Sequence, residues 1–182
     1  MNFKTVAILP AAGSGERLGI SLPKQYCDVL GRPIIVHTLD SFQRIEWIES
    51  VIVAVSSDRL DYMKQILSQY CLTKVKLIEG DISRHRSIKK CIDAIGDNHD
   101  NKPDIVIIHD AVRPFADEDI MSQVALAAHK YGASGTVQPL VSTVIAPSHE
   151  GFLDHSLVRS KYRASHTPQA FQYSVIKAAY NK

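Results

Sequence analysis

Short apolar runs alternate with amphipathic segments along this chain. Four of the runs are rich in valine and isoleucine, which is typical of strands buried on both faces of a sheet. A fifth run is longer and also rich in residues that favour strands. We therefore predict strands at residues 6–9, 51–55, 75–78, 105–108 and 136–145.

The segments between the strands have apolar residues at helical spacing and capping residues at their ends. Pro33 can begin one helix, and Ser83 can cap another. Acidic residues at 117–119 favour the start of a third helix, which Gly132 would end. A further apolar stripe runs through residues 60–70. This alternation predicts an α/β fold, with a mostly parallel sheet and helices on both faces.

Distinctive polar stretches follow three of the predicted strands. A glycine-rich loop follows residues 6–9, Gly80 and Asp81 follow residues 75–78, and the stretch 109–114 follows residues 105–108. Ligands of parallel sheets bind beyond the carboxyl ends of the strands. We therefore expect the three stretches to converge on one rim of the sheet.

The glycine-rich loop, residues 10–19, is the strongest chemical signal in the sequence. Small residues at a strand end let backbone N–H groups approach a polyphosphate, and Arg17 and Lys24 add positive charge. The loop lacks the Gly-Lys-Ser/Thr ending of a P-loop and the G-x-G-x-x-G of a dinucleotide site. It indicates a nucleotide site with chemistry at phosphate; the alternative is an ordinary turn between a strand and a helix.

Composition excludes several classes of protein. The 182 residues are 45% hydrophobic and carry a net charge of +2, which favours one soluble domain and gives no field for nucleic acid or membranes. The three cysteines lack C-x-x-C spacing and indicate free thiols in a reducing compartment. No apolar run is long enough for a membrane span, and the N-terminus does not resemble a signal peptide. We therefore expect a cytosolic protein.

Several residues at the expected rim have two interpretations. Asp110 can hold a metal ion that bridges phosphates, or it is a turn aspartate. Arg113 can pair with Asp110 or with a substrate phosphate, and His109 is predicted to be packed rather than catalytic. Ser87 and the turn at residues 84–87 can hold a phosphate or a base edge, or they form a solvated basic turn.

The segment 136–166 differs from the rest of the chain. It begins with the long β-prone run, turns at residues 147–151, and then carries the basic residues Arg159, Lys161 and Arg163. It is either an extended arm or an ordinary surface hairpin.

Six motifs carry a resemblance to a known family, and they occur in the same order and at similar spacing. In order along the chain they read P-A-A-G-S-G-E-R-L-G, P-K-Q-Y, E-G-D-x-x-R-x-R-S, H-D-A-V-R-P-F, P-L-V-S-T and T-P-Q-A-F. The chain resembles the cytidylyltransferases that make CDP-methylerythritol and CDP-ribitol. Residues 31–38 and 109–115 resemble the ribitol branch, and residues 139–147 and 163–165 resemble the animal enzymes that serve α-dystroglycan glycan synthesis.

The resemblance implies a Rossmann-like nucleotidyltransferase sheet with a protruding β-arm. It implies that CTP lies over the first loop and is enclosed by residues 80–87, and that a divalent cation such as Mg²⁺ acts near Asp110. Arg17 and Lys24 would stabilise the pentavalent transition state. The residues implied to bind CTP are Pro10, Ala11, Ala12, Gly13, Gly80, Asp81 and Ser87.

The second substrate is implied to be a polyol phosphate. Asp110 would lie near its hydroxyl groups, and Arg113 is counted with the substrate residues because it can pair with a substrate phosphate. Thr143, Arg159 and Thr167 would orient it, and Arg159 would also belong to the catalytic set. In the family, some of these residues come from the arm of a neighbouring subunit, so the resemblance implies a homodimer.

One departure and two alternatives remain open. The family continues into an acidic segment and a final strand with a lysine that faces the phosphates, whereas this sequence, expected to be a single domain, ends at Lys182. The methylerythritol enzyme is the alternative within the family. The alternative from another class is a CTP-binding or dimer-forming protein with weak or no turnover.

Overall fold

The central sheet combines a parallel half with an antiparallel edge. The structure, a computed structural model, describes residues 1–13, 19, 22–96 and 102–182. The strands within these ranges are β1 (Thr5–Ala11), β2 (Asp28–Val29), β3 (Arg32–Pro33), β4 (Ile48–Val55), β5 (Val75–Glu79), β6 (Ile105–Ile108), β7 (Ala133–Pro139), β8 (Ile145–Pro147), β9 (Leu153–Ser156) and β10 (Arg163–Gln172). Six of them form the central sheet in the order β5-β4-β1-β6-β10-β7, and β5, β4, β1 and β6 are parallel.

Helices cover both faces of the sheet, as the sequence predicted. They are α1 (Ile34–Arg44), α2 (Leu60–Gln69), α3 (Arg84–Ile95), α4 (Glu118–Tyr131) and α5 (Tyr173–Tyr180). Alternate residues of β1 belong to different cores: Leu9 packs with residues of α1, α2 and α4, whereas Ile8 packs with residues of α3 and α5. This two-sided burial explains why the parallel strands are apolar throughout.

The predicted helix ends are confirmed by their capping contacts. The Ser83 side chain accepts a hydrogen bond from the Arg86 backbone N–H at 3.4 Å, and Asp117 accepts one from Ile120 at 3.0 Å. Gly132 ends α4 with φ at 92°, a left-handed conformation that glycine adopts without strain. Among the described helices, none is both long and apolar enough to cross a membrane.

The segment 136–166 is organised differently from the single strand predicted at 136–145. Strand β7 ends at Pro139, which has no N–H to continue a ladder, and the next strand begins at Ile145. Strands β8 and β9 form a separate hairpin outside the central sheet, and the segment 136–166 is called the arm below.

Strand β10 returns from the arm into the middle of the sheet, and sequence reasoning missed it. It lies antiparallel between β6 and β7, with Gln169 opposite both Ile108 and Gly135. Its outer half, residues 163–167, is mostly polar and mixes exposed with half-buried positions, and within the strand burial is deep only at Pro168 and Ala170. None of the five strands predicted from the sequence covers β10, because no continuous apolar run marks it.

Candidate active site

The three polar stretches converge on one rim, at the carboxyl ends of the parallel strands. A Cβ atom placed on Gly80, after β5, would lie 2.4 Å from the Cβ of Ala12, after β1. From the start of α3, Arg84 reaches Asp110, which follows β6, at 3.1 Å. The Asp110 backbone N–H approaches the Thr167 hydroxyl in β10 at 3.4 Å. Residues from five parts of the chain therefore meet at this edge.

The first loop is supported from behind by a glutamine that sequence reasoning did not single out. Pro10 and Ala11 belong to β1, and Ala12 and Gly13 follow it. The Gln25 side-chain amide donates hydrogen bonds to the carbonyl oxygens of Ala11 at 2.7 Å and Gly13 at 2.9 Å. The signal that could have found Gln25 is its place beside Lys24 in the P-K-Q-Y motif.

Of the two candidate catalytic cations, Lys24 lies within the described residues and Arg17 does not. Lys24 is exposed and begins a short 3-10 turn, Lys24–Tyr26, whose other two residues are buried. Arg17 lies outside the described residues, so its role stays a prediction from sequence.

The second loop closes tightly on the first. The Gly80 N–H donates to the Val55 carbonyl at 2.7 Å, and only a residue without a Cβ fits against Ala12. The buried Ser87 hydroxyl accepts from the Asp81 N–H at 2.9 Å and lies 3.2 Å from the Asp81 carbonyl, to which it donates. In this structure, Ser87 therefore shapes the loop that would enclose a ligand.

Lys90 and Asp81 form a charged pair at the edge of this loop. The Lys90 ammonium donates to the Gly80 carbonyl at 2.8 Å and lies 3.4 Å from the Asp81 carboxylate. A hydrogen bond from the Ile82 backbone N–H, followed by the contact with Lys90, lowers the pKa of Asp81 from its ordinary value. Asp81 therefore stays ionised well below neutral pH.

Asp110 is the charged centre of the third loop. Its two carboxylate oxygens accept hydrogen bonds from Arg84 at 3.1 Å and from the Arg113 Nε at 2.9 Å. Burial alone would raise the pKa of Asp110, but the two guanidinium groups outweigh it and lower the pKa from its ordinary value. Arg113 pairs with Asp110, as one of the two interpretations predicted, and Arg84 was not singled out as a partner.

His109 is a packed side chain, which confirms the sequence interpretation. Its Nε2 lies 3.0 Å from the Arg113 carbonyl, which only accepts, so Nε2 carries the hydrogen. The ring packs against Phe42 with centroids 5.4 Å apart, and burial lowers the pKa of His109 from its ordinary value. Neutral His109 therefore fixes the turn that presents Asp110 and Arg113.

Helix α1 holds the same loop from the other side. The Thr38 hydroxyl donates to the Ala111 carbonyl at 2.9 Å, and Ser41 donates to the Pro114 carbonyl at 2.9 Å. Because both bonds go to backbone atoms, they fix the path of the loop without engaging its charged side chains.

Two of the three positions implied to orient the second substrate lie in the arm. Thr143 is exposed, and Arg159 donates to the Val141 carbonyl within the arm. The third position, Thr167, lies beside Asp110.

A cation bound at this rim would take most of its coordinating atoms from a bound polyphosphate rather than from the protein. Within the described ranges, no group of three or more His, Cys, Asp or Glu residues could hold a metal ion. Asp110 offers one carboxylate, and Mg²⁺ in nucleotide enzymes commonly takes one or two carboxylates plus substrate phosphates. The donor set therefore fits a cation that arrives with a polyphosphate.

The sequence of this chain is similar to those of known enzymes. The family model described as 2-C-methyl-D-erythritol 4-phosphate cytidylyltransferase matches residues 5–182. A D-ribitol-5-phosphate cytidylyltransferase of Xenopus tropicalis is 53% identical over 97% of this chain and 44% of its own length. A 2-C-methyl-D-erythritol 4-phosphate cytidylyltransferase of Syntrophus aciditrophicus is 38% identical over all of this chain and 77% of its own length. The chain spans less than half the length of the ribitol-phosphate relatives that it matches.

Comparison with solved structures supports the same fold. The crystal structure of 4-diphosphocytidyl-2C-methyl-D-erythritol synthase from Anaerococcus prevotii matches with a TM-score of 0.82 and 29% identity. The match covers 98% of this chain and 74% of that one. This chain therefore shares its overall fold with that structure.

Proposed function

The chain belongs to the 2-C-methyl-D-erythritol 4-phosphate cytidylyltransferase (IspD) family, and from that premise we propose that it transfers a cytidylyl group from CTP to D-ribitol 5-phosphate. The products are CDP-ribitol and pyrophosphate. The observation that carries the choice of acceptor is the 53% identity to a D-ribitol-5-phosphate cytidylyltransferase over 97% of the chain.

The reaction requires positioning and charge neutralisation rather than a covalent intermediate. A phosphate oxygen of the acceptor attacks the α-phosphorus of CTP in line, a new P–O bond forms, and the bond to the β-phosphate breaks as pyrophosphate leaves. Residues 10–13 and 80–87 hold the nucleotide. Lys24 and Arg17 stabilise the negative charge that develops on the transferred phosphoryl group.

The acceptor lies on the Asp110 side of the rim. Asp110 accepts hydrogen bonds from the polyol hydroxyls, and Arg113 and Thr167 bind beside it. Because Arg84 and Arg113 already hold the Asp110 carboxylate, the group is ionised and oriented before the acceptor arrives. A divalent cation bound with the triphosphate, with Asp110 as the protein ligand, would neutralise charge on the departing pyrophosphate.

We also propose a homodimer in which the arm of one subunit completes the site of the other. Large apolar side chains on the arm are exposed: Val141, Ile145, Phe152, Leu153 and Val158. Thr143 and Arg159 lie on the same arm, where Thr143 is exposed and Arg159 contacts Val141. A partner arm would bury the apolar groups and bring these two residues to the acceptor.

Sedimentation tests the dimer directly. The intact chain should sediment as a dimer, and a variant with a short glycine linker in place of residues 141–161 should be a monomer with little turnover. A monomeric intact chain at high concentration contradicts the proposal.

The cellular setting extends the proposal. The enzyme would work in the cytosol and supply CDP-ribitol for O-mannosyl glycan synthesis on α-dystroglycan. Loss of the protein from cells should lower their CDP-ribitol content and the ribitol-containing glycan, as measured by mass spectrometry.

One assay separates this function from its alternatives. Pyrophosphate release is measured with CTP and either D-ribitol 5-phosphate or 2-C-methyl-D-erythritol 4-phosphate. Faster release with ribitol phosphate supports the proposal. Faster release with methylerythritol phosphate favours the second candidate, which the 38% identity to the Syntrophus protein supports. CTP binding without release with either acceptor favours a binding protein.

A further inference from the structure

Gln25 is a buried primary amide whose two donor positions are both used behind the nucleotide loop. It is 3% exposed, and its Nε2 donates to the Ala11 carbonyl at 2.7 Å and to the Gly13 carbonyl at 2.9 Å. A buried amide without partners destabilises a protein, so two well-formed bonds to carbonyls two residues apart fix both the side chain and the loop.

These bonds determine the direction of the loop's donors. The Ala11 carbonyl and the Ala12 N–H belong to one planar trans peptide and point in opposite directions. With the carbonyl held against Gln25, the Ala12 N–H faces away from Gln25. The second hydrogen bond from Gln25 holds the Gly13 carbonyl, two residues further along the chain. The backbone between Ala11 and Gly13 therefore cannot rotate freely.

The backbone of Gln25 also fixes the candidate catalytic lysine. Lys24 is its direct neighbour in a 3-10 turn, and the next residue, Tyr26, is buried against Tyr62 with ring centroids 5.4 Å apart. The turn is therefore anchored in the core on one side and bonded to the loop on the other. One side chain sets the distance between the backbone of Lys24 and the backbone of the loop.

We propose that Gln25 is a positioning residue of the transfer reaction. Its side chain holds the nucleotide loop and Lys24 in fixed positions relative to each other. The proposal rests on the function proposed above. Gln25 acts through the loop and through Lys24, and it does not touch the reacting atoms.

The test compares two variants of Gln25 with the same changes at a remote glutamine. Gln25→Met keeps the length of the side chain and removes both donors, and Gln25→Glu places a carboxylate against two carbonyl oxygens. Gln172 is the matched control, because its amide also donates to a backbone carbonyl, that of His129 at 2.8 Å, and β10 pairs it with Ile105, the first residue of β6, far from the rim.

Turnover should fall more than CTP binding weakens. Small misplacements of reacting groups cost about 100-fold in rate, so we expect kcat of Gln25→Met to fall on the order of 100-fold. Because the loop loses both hydrogen bonds from Gln25 but keeps its own contacts to the nucleotide, the CTP Kd should rise only about 5-fold. Gln172→Met and Gln172→Glu should retain the kcat and Kd of the unchanged chain.

A double-mutant cycle with Lys24→Ala separates positioning from general destabilisation. If Gln25 acts through Lys24, the double variant loses much less activity than the product of the two single losses. Multiplicative losses, or a normal kcat in Gln25→Met, overturn the proposal. Loss of the cooperative thermal transition in both Gln25 variants, with folded Gln172 variants, also overturns it and assigns Gln25 a structural role.

CTP binding is a separate readout that remains if the proposed function fails. If the unchanged chain binds CTP but releases no pyrophosphate with either acceptor, the transfer function fails. Calorimetry with CTP then decides the positioning of the loop: weaker binding by Gln25→Met than by Gln172→Met supports it, and equal binding overturns it.

Discussion

The two sides of the rim are built from different interactions. On the nucleotide side, residues 10–13 and 80–87, neutral hydrogen bonds from the buried side chains of Gln25 and Ser87 hold the loops, and the Lys90–Asp81 ion pair lies at the edge. On the acceptor side, residues 109–114 with Arg84, the central contacts are ion pairs. The Asp110 side chain is 28% exposed, and those of Arg84 and Arg113 are each 48% exposed.

This difference indicates which side is fixed and which side can exchange partners. Buried neutral bonds have no solvent alternative, so their loss affects the folded state itself. Half-exposed ion pairs contribute little to stability, because water and salt screen them. Substrate oxygens can therefore replace these pairs at small cost, while the nucleotide side keeps its shape.

The largest expected effect is that of Lys24→Ala. Lys24 does not fit a simple division between a neutral nucleotide side and a charged acceptor side. Lys24 is exposed and charged, yet it belongs to the turn on the nucleotide side. Lys24→Ala should lower turnover by about 10²–10³, because a preorganised charge at the developing negative charge is lost, with little change in the melting temperature. Pyrophosphate release measures the effect, and Lys64→Ala, which removes a surface lysine paired with Asp61, is the control.

The same loss is expected for Arg17→Ala, from sequence alone. Turnover within a few-fold of the unchanged chain in both variants would remove these cations from the mechanism.

Gly80→Ala tests the fixed side. The added Cβ would lie 2.4 Å from the Ala12 Cβ and 3.2 Å from the Ser87 Oγ, so the loops must separate. We expect a loss of about 1–3 kcal/mol in the free energy of unfolding, together with weaker CTP binding. Gly135→Ala is the matched control, because its Cβ would meet Gln169 at an ordinary 3.5 Å. Equal stability of the two variants in urea titrations would contradict the tight closure.

Asp110→Asn tests the exchangeable side. It removes the charge between Arg84 and Arg113, and we expect turnover to fall on the order of 10-fold, with a weaker dependence on magnesium and no unfolding. Asp93→Asn, which breaks the Lys89 pair on α3, is the control. An unchanged magnesium titration would show that Asp110 is structural.

We also expect Asp110→Asn to change how the stability of the folded state depends on pH. The folded-state pKa of Asp110 is lowered, so its contribution is present above the unfolded-state pKa of about 3.9 and is lost as pH falls through the folded-state value. The stability of Asp110→Asn should therefore lie slightly below that of the unchanged chain near neutral pH and approach it in acid.

The smallest effect concerns Tyr26, on the fixed side. Burial raises the pKa of Tyr26 to about 12, although Arg59 partly opposes the rise, and within the described residues its buried hydroxyl has no hydrogen-bond partner. Stability should therefore be full below pH 10 and fall as pH rises toward 12. Tyr26→Phe should be as stable as the unchanged chain at pH 7 and should lose less stability in alkali; equal alkaline losses would contradict this.

Sequence reasoning predicted the parallel half well, because its strands are buried on both faces and therefore apolar. The same burial places polar loops at the strand ends, so the convergence of Gly80, Asp110 and the first loop could also be predicted. Gln25 and Arg84 were missed for a different reason. Their partners, Ala11 and Asp110, are 14 and 26 positions away, and no periodic pattern encodes such contacts.

The arm and β10 were the least predictable part of the fold. Strand β10 alternates polar and apolar residues only in part, and its register shifts between Ser165 and Gln169. A strand that is half in the sheet and half in an exposed arm satisfies neither the pattern of a buried strand nor that of a surface strand.

The position of β10 has a consequence for the order in which the chain can fold during synthesis. Strands β1, β4, β5 and β6 and the helices between them are all made before residue 109, so this unit can associate early. Strand β7 must wait, because its partner in the described part of the central sheet, β10, is completed at residue 172. Until then, the edge of β6 and the strand β7 are both open to foreign strands, which is a time of risk for aggregation. Pulse proteolysis of ribosome-bound chains should show protection of the parallel unit first, and protection of β7 only after β10 has emerged.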